Sequence, residues 1–114
     1  MTHAYVNRAA ACNAVRPGVP AAEIDRVARD IITDAGYGDA FLHRTGHGIG
    51  METHEEPYIV SSNAEPLVAG NAFSVEPGIY VRDTWGARIE DIVVVTDAGG
   101  ERLNRTGRTL YVVE

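Results

Sequence analysis

The sequence predicts an α+β domain in which two N-terminal helices pack on a mainly antiparallel sheet. Three observations carry this. Apolar side chains recur at helical spacing over the first 35 residues, and Pro and Gly interrupt that pattern twice. From Gly38 onward the chain turns to glycine-punctuated loops and short β-branched runs. Two polar stretches, Asp83-Thr84-Trp85-Gly86 and Asp97-Ala98-Gly99-Gly100, separate such runs with residues that tolerate tight antiparallel connections. At 114 residues the chain fits one domain or part of one.

The first helix runs from Thr2, which supplies an N-cap, through an alanine-rich segment to about Val15, where Arg16-Pro17-Gly18 stops it. The second starts at Pro20, a residue tolerated in a first turn, and places Ile24, Val27, Ala28, Ile31, Ile32 and Ala35 on one face. Gly36 ends it. Asp25, Arg26, Arg29, Asp30 and Asp34 fall on the other side, which reads as a solvated face. Strands are expected near 72–76, 78–82, 87–96 and 109–113. Alternation along the first sends Phe73 and Val75 one way and Ser74 and Glu76 the other, and along the third it puts Arg88 and Glu90 on a common face, with Asp91 turned away. Trp85 falls at a hairpin tip and receives no role.

A formal charge of −6, with 10 basic and 16 acidic residues interspersed, excludes a nucleic-acid footprint. No apolar run approaches the roughly 20 residues a bilayer span needs, and no signal-peptide core is present. The single cysteine, Cys12, sits in the alanine-rich helix and reads as a small buried thiol in a reducing, cytoplasmic setting.

The chemistry concentrates in HRTGHGIGMETHEEP, which holds three of the four histidines, His43, His47 and His54. Two acids follow in strand-like runs, Glu76 in AFSVEPGIY and Glu90 in ARIEDIVVVT. Imidazole and carboxylate together suit divalent metals, so the pattern suggests a metal site. Three other signatures fail. An H-E-x-x-H zinc helix would need histidine where Tyr58 stands, and Pro57 opposes the helix. Gly46, Gly48 and Gly50 lack the spacing of a dinucleotide loop, whose last glycine position is Met51. Cys12 has no activating neighbour in sequence. Taken singly, His43 and His47 would be hydrogen-bonded structural residues, His54 an exposed loop residue, Glu76 a strand-end acid and Glu90 an ion-pair partner of Arg88. Their clustering favours the site.

The segments HRTGHGIGMETHEEP, AFSVEPGIYV and ARIEDIVVVT, preceded by AVRPGVPAAEIDRVARDIITDAGYG, resemble the pita-bread metallopeptidases, the family of methionine aminopeptidase, aminopeptidase P and prolidase. The likeness covers nearly the whole chain, and HRTGHGIG is most similar to the Xaa-Pro peptidases. It implies half of a pita-bread fold with a curved sheet. It implies that His47 and Glu76 ligate one metal and that Glu90 bridges two. It further implies that His43 and His54 bind substrate and stabilise the tetrahedral intermediate, that a metal-activated water attacks the carbonyl, and that Glu76 relays the proton. Arg88 resembles the arginine that steadies the bridging glutamate.

The departure is the absence of the two aspartate ligands of that family. Asp25, Asp30, Asp34 and Asp39 lie on or just after the second helix and do not fit their pattern. Residues 1–114 are thus expected to be the C-terminal portion of the catalytic domain, without the N-terminal half that carries those aspartates. A complete site would take two divalent metals, manganese, cobalt, zinc or iron; the chain alone would hold at most one, weakly, with little activity. The expected activity is hydrolysis of the bond before proline near a peptide N-terminus, with methionine aminopeptidase as the runner-up within the family and a non-catalytic peptide- or protein-binding module as the reading from another class. An apolar face left by half of a two-lobed fold favours a homo-oligomer.

Overall fold

Two helices packed against each other open the chain: α1, Thr2–Ala14, and α2, Ala21–Asp34. The structure, a computed structural model, describes residues 2–105 and 112–113, with the side chains of residues 2–7 outside that description. The helical expectations hold to within a residue or two. Gly18 takes φ +88° in the link, and Pro20 caps α2 from outside its first turn, with φ −61° and ψ 142°. Gly36, at φ +92°, ends α2 as a left-handed glycine stop. Ile24, Ala28 and Ile32 are fully buried, as their spacing demands. Asp25 departs from expectation: instead of facing water it is 0% exposed, because its carboxylate has partners in the loop beyond α2.

Among the described residues, a 3-10 turn at Gly38–Ala40 is followed by seven strands: β1 Gly46–Gly48, β2 Glu55–Ile59, β3 Ala72–Val75, β4 Gly78–Val81, β5 Trp85–Arg88, β6 Asp91–Thr96 and β7 Gly99–Arg102. Five form one antiparallel sheet in the order β2-β1-β3-β6-β7, and β4 pairs with β5 alone. The short β1 and β2 and the edge strand β7 were not expected. The strand expected near 109–113 falls mostly outside the described residues.

The strand expected as one run over 87–96 is broken at Ile89-Glu90. The pairing explains why. Val75 faces Asp91 in the β3–β6 ladder, and three residues on, Gly78 faces Arg88, three residues back. The register is continuous, so β3–β4 and β5–β6 are the arms of one long hairpin that leaves the main sheet at Glu76-Pro77 and Ile89-Glu90. Pro77 has no N–H to give to a ladder, which suits it to such a break.

Phe73, Val75, Ile79, Val93 and Val95 pack with Ala11, Val15, Ile24, Ile32 and Ile59 in the core between helices and sheet. The alternation expected for β3 is masked at its centre, because Ser74 is buried as completely as Phe73 and Val75. Cys12 is buried, as its setting implied. Among the buried polar side chains is Arg8 of α1, whose guanidinium pairs with Asp91 of β6, both about as buried as core residues. Asn104 completes the arrangement, donating from Nδ2 to Asp91 Oδ1 at 2.5 Å and accepting from the Ile92 N–H at 2.8 Å. Truncating one member of a buried pair costs about 3–5 kcal/mol. Asp91→Ala is therefore expected to lower the chemical-denaturation free energy by about that amount, and a loss below about 1 kcal/mol, the value of an exposed pair, would contradict the account.

Candidate metal centre

The break in the long hairpin places two carboxylates opposite one another. Val75 and Asp91 form the last rung of the main ladder, so Glu76 and Glu90 occupy the next position, where the strands part. Glu76 is anchored sideways, its N–H donating to the Thr45 carbonyl at 2.7 Å. That bond ties the end of β3 to the chain entering β1. His47, the middle residue of β1, donates its N–H to Ser74 Oγ at 3.0 Å. The glycines on either side of it leave no room for side chains: a Cβ on Gly46 would lie 1.7 Å from the Ser74 carbonyl oxygen, and one on Gly48 2.0 Å from that of Glu56. Neighbouring backbone therefore closes on both sides of His47.

The imidazole orientations follow from backbone carbonyls, which only accept. His47 Nδ1 lies 3.0 Å from the Gly48 oxygen and His43 Nδ1 lies 2.6 Å from the Arg44 oxygen, so in each ring Nδ1 carries the proton. His47 Nε2 then faces Glu76 Oε2 at 3.5 Å. It serves as an imidazolium partner of the carboxylate when protonated, or offers its lone pair to a cation when not. The carboxyl of Glu90 is held above the usual carboxylate range, first by lost hydration, then by the charge of Glu76 and a hydrogen bond between the two carboxyls. His47 and Arg88 pull the other way. Since Glu90 is exposed as a residue, the lost hydration belongs to its local placement beside Glu76. Two adjacent carboxylates that cannot both ionise freely are suited to sharing a proton or a cation.

Arg88 lies 3.6 Å from Glu76 Oε1, so its ion pair is with Glu76, whereas Glu90 was the partner expected. The break at residues 89–90 accounts for the difference, because strict alternation no longer links Arg88 to Glu90. His43, His47, His54, Glu76 and Arg88 line one open hollow together with Arg44 and Val60. The His54 ring meets that of His47 edge-on at 4.6 Å between centroids, while His43 packs edge-on against Phe41 and Tyr80 at 5.3 and 5.5 Å. Every expected site residue is thus in the hollow or, for Glu90, beside it. Sequence reasoning missed Arg44, whose guanidinium lies 4.9 Å from the Tyr58 ring centre; its place directly after His43 was the available signal. Ser74, whose hydroxyl accepts the His47 N–H, and Thr45, whose carbonyl accepts the Glu76 N–H, carried no local signal.

Among the described residues, no three or more His, Cys, Asp or Glu side chains gather closely enough to form a metal-holding group by themselves. The pairwise contacts of Glu76, with His47 and with Glu90, nevertheless bring together imidazole and carboxylate, donor types that suit manganese, cobalt, zinc or iron. The His47 ring is oriented as ligating histidines are, with its other nitrogen bonded to a carbonyl. The residues present fit a divalent cation. No described helix is long and apolar enough to cross a membrane.

Comparison with known proteins places this arrangement. The chain is 56% identical over 104 residues to the probable dipeptidase PepE of Mycobacterium tuberculosis, covering 91% of this chain and 28% of that protein. It is 51% identical over 111 residues to the Xaa-Pro dipeptidase of Lactobacillus delbrueckii subsp. lactis, covering 95% and 30%. The solved structure of the Xaa-Pro dipeptidase from Bacillus anthracis superposes with a TM-score of 0.95 at 38% identity, over 98% of this chain and 32% of that one. The chain therefore spans under a third of the length of these relatives. Its helices and sheet are those of the pita-bread architecture that the motifs implied. Residues 4–97 match metallopeptidase family M24, and the chain belongs to that family.

Proposed function

We propose that this chain supplies one wall of the active site of a metal-dependent peptidase that cleaves Xaa-Pro dipeptides. The observation that carries the reading is the convergence of the His47 Nε2 lone-pair direction, Glu76 and Glu90 at the break of one hairpin. The Xaa-Pro dipeptidase names of its relatives support the substrate class.

His47, Glu76 and Glu90 would hold the metal, and Glu90 would be shared with a second ion in a complete site. When bound, the metal would lower the pKa of a water towards neutrality and polarise the scissile carbonyl. Manganese is our first choice for a donor set dominated by carboxylates. Glu76, braced by Arg88 and by the Thr45 carbonyl, is positioned to accept a proton and pass it to the leaving nitrogen. His54, exposed at the mouth of the hollow, is free to donate to a substrate carbonyl oxygen as negative charge develops there. His43 forms the apolar-backed side of the hollow with Phe41 and Tyr80, a surface against which a proline ring can pack. A buried Cys12 suits a reducing compartment, and we place the protein in the cytoplasm.

The chain by itself is expected to bind at most one divalent ion per copy, weakly, and to turn over an Xaa-Pro dipeptide poorly. His47→Ala and Glu76→Gln are each expected to abolish that binding. Elemental analysis and calorimetry with Mn²⁺ check this, and two tightly held ions per chain or binding that survives both substitutions would overturn it.

Acidity offers a second check. The folded chain holds the Glu90 carboxyl above its ordinary value near 4.5, so the metal-free fold is favoured over the unfolded chain at low pH. That contribution is lost as pH rises through the raised value. Melting temperatures of the metal-free chain are expected to fall over this window. Glu90→Gln is expected to remove the fall and to be the more stable form at neutral pH; an unchanged slope in that variant would contradict the shared-proton arrangement.

A further inference from the structure

We infer that Asp25 and Arg29 of α2 form a positioning clasp that sets the backbone of residues 41–45, and through it the His43 ring and the Glu76 carboxylate. This rests on the proposed metal site. Asp25 is 0% exposed on a helix whose other charged residues are mostly in water. A buried carboxylate is retained only where partners compensate for its lost hydration. Its partners, Arg29 and Thr45, lead to one place. Arg29 donates to it from Nε at 2.9 Å and from Nη2 at 3.1 Å, a two-point pair of the kind that fixes orientation. Thr45 donates to Asp25 Oδ1 from its hydroxyl at 2.8 Å and from its N–H at 3.3 Å. Arg29 then reaches the Phe41 carbonyl at 3.2 Å and the His43 carbonyl at 3.1 Å, with its guanidinium 4.0 Å from the Phe41 ring centre.

The clasp therefore holds both ends of a five-residue segment, and each end acts on the site. At the near end, the Phe41 ring packs on His43. At the far end, the Thr45 carbonyl accepts the Glu76 N–H at 2.7 Å. Between them, the His43 Nδ1–H donates to the Arg44 carbonyl, a bond whose geometry depends on the peptide planes that the clasp fixes. The ring's other nitrogen, Nε2, is buried without a hydrogen-bond partner, close to Gly78 and Tyr80. An acceptor left unsatisfied in this way is costly, so the ring needs an external restraint to stay there. A helix-to-loop anchor serving stability alone would not need to converge on the carbonyls that flank a site histidine.

The test uses Thr45→Val, Thr45→Ser and Arg29→Gln in the whole chain. Fold is checked by circular dichroism, the His43 tautomer is read by ¹⁵N imidazole NMR, and the Zn²⁺ dissociation constant is measured by calorimetry. In folded Thr45→Val and Arg29→Gln, the His43 nitrogen shifts are expected to move from a fixed Nδ1–H tautomer towards the average of two, and Zn²⁺ binding to weaken about tenfold, as loss of supporting groups around metal ligands commonly does. Thr45→Ser keeps the hydroxyl and is expected to retain both. If Thr45→Val does not fold, Arg29→Gln carries the test, because Arg29 is 33% exposed and its removal leaves the Asp25–Thr45 bonds in place. Folded variants with the native tautomer and native Zn²⁺ affinity would overturn the clasp. Absence of Zn²⁺ binding by the unaltered chain would count against the metal site instead, and the tautomer would still decide the clasp.

Discussion

The site depends on one constraint: a single long hairpin keeps its register while its strands pass from one sheet to another. Because Val75 stays opposite Asp91 and Gly78 stays opposite Arg88, the residues between them meet as Glu76 against Glu90. At that point neither strand belongs to a ladder, so both carboxylates are released from strict alternation and can turn towards each other. A regular hairpin would have spent those positions on cross-strand pairing. The break is affordable because both sides are anchored nearby, Glu76 through Thr45 and the residue after Glu90 through the buried Arg8–Asp91–Asn104 arrangement.

The rest of the site is arranged around this carboxylate pair by backbone groups. Carbonyls fix which nitrogen of His43 and His47 is protonated, and the Ser74 hydroxyl and the glycines beside His47 fix where β1 lies. The outcome is an imidazole nitrogen, a Glu90 carboxyl whose proton affinity is raised by burial and by its Glu76 neighbour, and an arginine paired with Glu76. This is a poor arrangement for an empty protein surface, since like charges are crowded without full compensation. It is a sensible one for a cation, which removes the conflict. The same conflict explains why one wall alone should bind weakly: three donors satisfy only part of a divalent ion's coordination.

Much of this was legible in the sequence because it is local. The amphipathic period of α2, the glycine and proline stops and the runs that became β3 and β4 all read directly. The metal-type residues were identifiable as a set because three histidines crowd one segment and the two acids end or begin apolar runs. What stayed hidden is non-local. Asp25 and Arg29, four apart on a helix, look like an ordinary surface pair, and nothing nearby shows that Thr45 lies within reach of Asp25 or the Phe41 and His43 carbonyls within reach of Arg29. The strands β1 and β2 are short and rich in glycine or charge, so they lack the β-branched signal and exist because neighbouring strands hold them. The interruption at Ile89-Glu90 is equally invisible in a run that otherwise alternates well. It comes from pairing with two different sheets.

The central claim is that Glu76, Glu90 and His47 act as one cation-binding unit created by that break. It is tested most directly by Zn²⁺ titration of the chain, following the ¹³C side-chain carboxyl signals of both glutamates and the ¹⁵N ring signals of His47 together. The account predicts that all three report a single binding event with one midpoint, that His47 responds at Nε2, and that His54 keeps its metal-free ring shifts. Separate midpoints for the two glutamates, or a Zn²⁺ response centred on His54, would contradict it.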